Sequence, residues 1–107
     1  MKERIAGLLL HPTSLPAPFG IGDFGAEADR FLDWAARGGM SVWQILPLGP
    51  TGHGNSPYSG TSAFAGSPPL LSPEKLREEG LLTAQDLERT PHFPEGRVDF
   101  GRGVTWK

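Results

Sequence analysis

The sequence predicts an α/β chain that opens with a parallel βαβ unit. Three observations carry the prediction: an apolar run at Ile5–Leu10, helical periodicity from Phe24 onward, and a second apolar run in Ser41–Leu48. Parallel strands cannot be joined by a tight turn, so two such runs separated by a helix are the pattern this unit requires.

The first run, IAGLLL, stops at His11-Pro12 and reads as a buried strand. From Phe24 the apolar residues Ala28, Phe31, Leu32 and Ala35 follow at offsets of 4, 7, 8 and 11. That is one face of a helix, with Glu27, Asp29, Arg30, Asp33 and Arg37 mostly elsewhere. Asp23 is placed to cap this helix, and Gly38-Gly39 stops it because glycine accepts the left-handed conformation at a helix C-terminus. SVWQILPL is the second strand, closed by Pro47. Neither strand alternates cleanly, which predicts parallel strands covered on both faces. A loop of about two dozen residues follows Leu48. Ser72 as N-cap, Pro73 at the first helical position and Gly80 as the stop then predict a two-turn helix. Thr83 caps a further short turn, and the tail EGRVDFGRGVTWK carries no stop signal, so it is expected to enter another element.

Composition narrows the function. Ten basic against twelve acidic residues leave a net charge of −2, and without a basic patch a nucleic-acid partner has no electrostatic support. No cysteine is present, which excludes a disulfide framework and thiolate metal sites. The apolar stretch near the N-terminus is too short for a signal peptide or a membrane span, so a cytoplasmic protein with no membrane partner is expected. Of the fifteen glycines and eleven prolines taken together, sixteen gather in two clusters, Pro12–Gly25 and Pro47–Pro69. Both clusters also carry His, Ser, Thr and aromatic residues, as functional loops do.

Two glycine patterns imitate phosphate sites. Gly20, Gly22 and Gly25 spell G-x-G-x-x-G, but nine residues with three prolines separate Leu10 from Gly20. No acidic residue stands near Ile45–Leu48 to hold a ribose. GPTGHGNS has P-loop spacing, yet Asn55 occupies the lysine position and Pro50 removes a cradle donor. Neither pattern predicts a nucleotide, and no cofactor is expected.

What the loops offer is neutral and polar. His11, Thr13 and Ser14 follow the first strand. Gln44 lies near the end of the second, with His53, Asn55, Ser56, Tyr58, Ser59, Thr61 and Ser62 beyond it. In parallel α/β folds ligands bind at the carboxyl ends of strands, where both loops sit. Hydroxyls, amides, imidazoles and an aromatic face suit a polyhydroxy ligand. His11 and His53 lack the acidic company a metal site needs, so no metal is expected. The serines show no nucleophile elbow, and most carboxylates of the first helix belong to its solvated face and N-terminal charge.

GLLLHPTSLPAPFGIGDFG, WQILPLGPTGHGNSPYSGTSAFAGSP and GRVDFGRGVTWK resemble the N-terminal part of amylomaltase, the bacterial 4-α-glucanotransferase family of the α-amylase clan. The resemblance runs from Ile5 to Lys107. It implies the first two βα units of a (β/α)8 TIM barrel with a long Gly/Pro-rich loop excursion, residues 1–107 being an incomplete barrel. It implies transfer of α-1,4-glucan segments between maltooligosaccharides, or starch-type glucans, with retention through two carboxylates about 5–5.5 Å apart. Tyr58 matches the tyrosine that packs on the donor glucose, and Ser56 a substrate-contacting serine. Asn55, His53 and Gln44 are further substrate-binding candidates. At His53 many members carry an aromatic residue, and GSPPLL replaces the more usual G-N-P-Y-L-I. No Asp or Glu matches a catalytic position, so the chain is expected to hold no catalytic residue and to be inactive alone. The competing expectations are a small non-catalytic glycan-binding or interaction module, a hydrolase of the same clan and, for Tyr58, a loop anchor packed on Phe64.

Overall fold

In a computed structural model, which describes residues 3–107, two short strands pair in parallel. Strand β1 (Gly7–Leu9) aligns with β2 (Val42–Gln44) in the register Gly7–Val42, Leu8–Trp43 and Leu9–Gln44. Helix α1 (Ala26–Arg37) connects them, completing the predicted βαβ unit. Both strands are shorter than their apolar runs. Pairing ends where Leu10 N–H reaches Gln44 O (3.0 Å), one residue before His11-Pro12. The strands are not covered on both faces within this chain: Leu9 is 61% exposed, and Val42 is also exposed.

Helix α1 ends as the double glycine predicts. Gly39 adopts φ +82°. Met40 N–H bonds Ala35 O and Gly39 N–H bonds Ala36 O, each at 3.0 Å, the paired reverse bonds of a glycine-terminated helix. Its start differs from expectation. Gly25 is the N-cap, and no side chain caps the helix. Asp23 stands two residues too early to reach the free N–H groups of the first turn, and its Oδ1 instead accepts from Gly25 N (2.9 Å). Nor does Asp23 belong to a solvated face, since it is buried. Three aromatics hold α1 to β2: Phe31 lies 5.2 Å and Phe24 6.2 Å from the Trp43 ring. The Trp43 indole N–H also donates to Leu10 O (2.7 Å).

The later elements follow their local signals. Ser72 Oγ accepts from Lys75 N at the start of α2 (Pro73–Glu78), and Gly80 (φ +78°) ends it. Thr83 and Asp86 form a reciprocal capping box on α3 (Ala84–Glu88); the two Thr83 bonds hold the Asp86 carboxyl below its usual range. The tail enters a helix, α4 (Phe100–Trp106), capped by Asp99.

Helix α1 buries only Ala28 and Ala35. The larger buried apolar side chains are Leu15, Phe19 and Ile21 of the loop from Pro12 to Asp23, with Leu70 and Phe93. Phe19 stacks on Trp106 (5.2 Å, 4° between planes), and Asp99 N–H bonds Gly20 O (2.8 Å). Helix α4 therefore closes over the first glycine cluster. Among the described residues no helix is long and apolar enough to cross a membrane.

The surface is larger than a chain of this size exposes when self-contained. Its accessible area is 7643 Å², against about 5,800 Å² from the size scaling of monomers. Its radius of gyration is 15.3 Å, against about 13 Å. A two-stranded sheet with both edges open adds little stability by itself. The isolated chain is therefore expected to melt broadly at low temperature and to aggregate. Calorimetry showing one sharp two-state transition contradicts this.

Candidate functional site

Most of the residues singled out by the sequence, His53, Asn55, Ser56 and Tyr58 among them, occupy one irregular lobe, Gly49–Gly66, that follows β2. Its neck is closed by Ser67 N–H to Leu48 O (3.1 Å). Above the neck, an antiparallel bridge pairs Thr51 with Gly60. Gly52 N–H bonds Ser59 O (2.8 Å) and Thr61 N–H bonds Pro50 O (3.1 Å). Among the described residues, the lobe's hydrogen bonds all stay within residues 48–67.

The tip is shaped by a tight turn at His53–Asn55, with Gly54 at φ 74°. Asn55 takes φ 56°, a left-handed conformation that asparagine tolerates better than most side chains. This reverses the chain so that Ser56 and Tyr58 follow directly. Ser56 Oγ accepts from Tyr58 N (3.3 Å), a local bond that fixes the Tyr58 backbone while the side chain remains 74% exposed. Phe64 is fully exposed, so Tyr58 is not an anchor packed on it. Ser62 Oγ accepts from the N–H groups of Phe64 and Ala65, both at 3.2 Å.

The structure thus brings His53, Asn55, Ser56 and Tyr58 to one tip. Gln44 stands apart, at the end of β2, exposed and in register with Leu9. Neighbourhood in sequence explains the difference: the four tip residues share one turn.

Beneath the lobe, two groups acquire roles through distant contacts. His11, at the end of β1, is half-buried. Its Nδ1 is buried without a hydrogen-bond partner among the described residues, and burial pushes its pKa below the ordinary histidine value. A small, partly open pocket of about 20 Å³ adjoins it, lined among others by Thr13, Thr51, Asn55 and Ser67. Farther along, the Lys107 side chain is 3% exposed and its Nζ meets Asp23 Oδ2 at 2.6 Å. It also donates to Pro69 O (3.0 Å) and Ile21 O (3.4 Å). Burial lowers the Lys107 pKa, and the Asp23 carboxylate opposes that shift. Sequence reasoning missed this pair because no local pattern links residues so far apart.

Three other carboxylates form ion pairs on the surface. Glu27 pairs with Arg30, Asp29 with Lys75 and Asp99 with Arg102, exposed contacts each worth at most about 1 kcal/mol. Among the described residues no three His, Asp or Glu side chains converge as a metal centre requires. A much larger cavity, about 860 Å³, is elsewhere, between the Ser14–Gly20 loop and the Thr90–Val98 segment. None of the five predicted binding residues lines it, so cavity size does not mark the lobe. Its chemistry does: phenol, hydroxyl, amide and imidazole groups stand together beyond a strand's carboxyl end.

Comparison with known proteins agrees with the sequence motifs. The 4-alpha-glucanotransferase family profile matches residues 10–107. A 4-alpha-glucanotransferase of Synechocystis sp. is 51% identical over 107 residues, all of this chain and 21% of that protein. The Thermus thermophilus 4-alpha-glucanotransferase is 52% identical over 104 residues, 97% of this chain and 20% of the relative. A chloroplastic/amyloplastic 4-alpha-glucanotransferase of Solanum tuberosum is 50% identical over 102 residues, covering 92% and 17%. Among solved structures, the amylomaltase of Streptococcus agalactiae in complex with acarbose superposes with a TM-score of 0.83 at 40% identity, over 92% of this chain and 20% of that one. The chain spans about a fifth of the length of the relatives it matches. With one family covering nearly every residue and the same fold at 40% identity, the chain belongs to the 4-alpha-glucanotransferase family.

Proposed function

We propose that residues 1–107 form the N-terminal portion of the (β/α)8 barrel of an amylomaltase-type 4-α-glucanotransferase, and that the Gly49–Gly66 lobe binds the glucan. The observation that carries this reading is the family match across residues 10–107, joined to an exposed polar tip that follows β2. Tyr58 offers a flat apolar face to the C–H side of a glucose ring. Ser56, Asn55 and His53 offer hydrogen bonds around it, and Gln44 offers an amide at the strand end. In retaining transfer one carboxylate attacks the anomeric carbon while a second protonates the departing glycosidic oxygen. An acceptor hydroxyl then displaces the enzyme and returns its proton to the second carboxylate. In this reading both carboxylates come from outside this segment, whose part is to hold and orient the donor. A self-sufficient glycan-binding module fits less well, because such a module buries its own strands and this chain does not.

The test is a chimaera in which residues 10–107 replace the matching part of the Thermus thermophilus relative. Incubated with maltotriose, the chimaera should release glucose and make longer maltooligosaccharides, whereas the 107-residue chain should do neither. An inactive but folded chimaera, or an active short chain, overturns the reading.

Tyr58→Ala in the chimaera should lower kcat/KM about 5- to 30-fold, since burying part of the ring against sugar is worth roughly 1–2 kcal/mol. Stability should change by less than about 0.5 kcal/mol, as for exposed positions generally. A near-normal kcat/KM with a large fall in Tm assigns Tyr58 to packing instead.

A further inference from the structure

We infer that His11 is a positioning residue for the lobe, acting through one water held between its Nδ1 and the underside of Thr51–Asn55. This rests on the proposed glucan-binding role of that lobe.

Three observations converge on the cavity. First, it measures about 20 Å³, enough for a single water. Second, its lining is polar where a water needs partners, with Thr13, Thr51, Asn55 and Ser67 around it, and a buried water typically makes about three hydrogen bonds. Third, His11 Nδ1 is buried beside it with no other partner among the described residues. A buried nitrogen left unpaired is costly, and a bridging water removes most of that cost.

The lining residues give the water its consequence. Thr51 forms half of the bridge that closes the lobe, and Asn55 holds the left-handed turn immediately before Ser56. Because the lobe's own hydrogen bonds stay within residues 48–67, the water would tie it to the end of β1. His11 is itself well fixed. It follows the Leu10–Gln44 pairing, and its carbonyl accepts from Ser14 N (2.9 Å). A neutral imidazole offers one donor and one acceptor, and water can answer either.

Two variants of the chimaera separate this role from simple packing. His11→Phe keeps a planar ring but removes Nδ1. His11→Asn keeps a polar atom at the position of Nδ1. Amide hydrogen exchange at Gly52, Ser59 and Thr61 reads lobe order whether or not the protein turns over sugar. His11→Phe should speed exchange there at least about tenfold and raise KM for maltotriose more than it lowers kcat; His11→Asn should stay close to the parent in both. Unchanged exchange in His11→Phe, or equal damage from both variants, overturns the inference. So does a high-resolution crystal structure of the parent chimaera with no water within hydrogen-bond distance of His11 Nδ1, a result that does not depend on either variant folding. If the parent fails to act on maltotriose, the glucanotransferase reading falls, while exchange and the crystal structure still decide the role of His11.

Discussion

Lys107→Met is expected to cost the fold about 3–5 kcal/mol, the usual penalty for removing one partner of a buried ion pair. The methionine fills most of the space but leaves the Asp23 carboxylate, in a side chain 6% exposed, facing no cation. It also deprives Pro69 O and Ile21 O of their donor. In the isolated chain that penalty exceeds the small stability its open surface allows, so dispersion in the proton NMR spectrum should collapse. In the chimaera, Tm should fall by several degrees. Adding Asp23→Asn to Lys107→Met should restore at least half of the loss, because Asn keeps an oxygen for Gly25 N–H and removes the uncompensated charge. A Tm within a degree of the parent for Lys107→Met rules out this structural role for the pair.

Gly22→Ala should destabilise by about 3 kcal/mol, at the upper end for overpacked sites. A Cβ on Gly22 would stand 2.1 Å from Pro12 O, 2.6 Å from Leu15 O and 2.8 Å from Leu15 N. All three atoms are backbone, in a loop whose register is set by Gly22 N–H to Thr13 O (3.1 Å), so no side chain can swing aside. Gly66→Ala is the control: its Cβ meets nothing within 4 Å, and the change should be neutral within about 0.5 kcal/mol. Equal melting temperatures for the two variants in the chimaera would remove the steric argument.

The Gly22 result also explains the G-x-G-x-x-G pattern. Its glycines stand where no Cβ fits: Gly22 against loop backbone, and Gly25 against the Asp23 and Ser72 side chains. Gly20, at φ +87°, stands against the Phe93 ring at 2.6 Å and Gly103 Cα at 2.9 Å from its virtual Cβ. Close packing and phosphate binding both select glycine, so spacing alone could not distinguish them. The strand-to-glycine distance and the missing acidic residue could, and both argue against a nucleotide.

Local chemistry by itself determined the elements. The period of the apolar residues set α1, Gly39 and Gly80 ended their helices, and Ser72 and Thr83 began theirs. Each of these rules acts within about five residues. The tip residues His53, Asn55, Ser56 and Tyr58 were legible for the same reason, since one turn holds them all. Tertiary structure alone decided where the core lies, what Asp23 does and what surrounds His11. Asp23 was a reasonable cap by sequence, but a buried Lys107, 84 residues away in the chain, competes for the carboxylate, and no periodicity encodes that meeting. The cavity at His11 likewise forms only when β1, the lobe and α4 come together. Burial and pairing of charge depend on the whole fold; helix starts and stops depend on the next turn of chain.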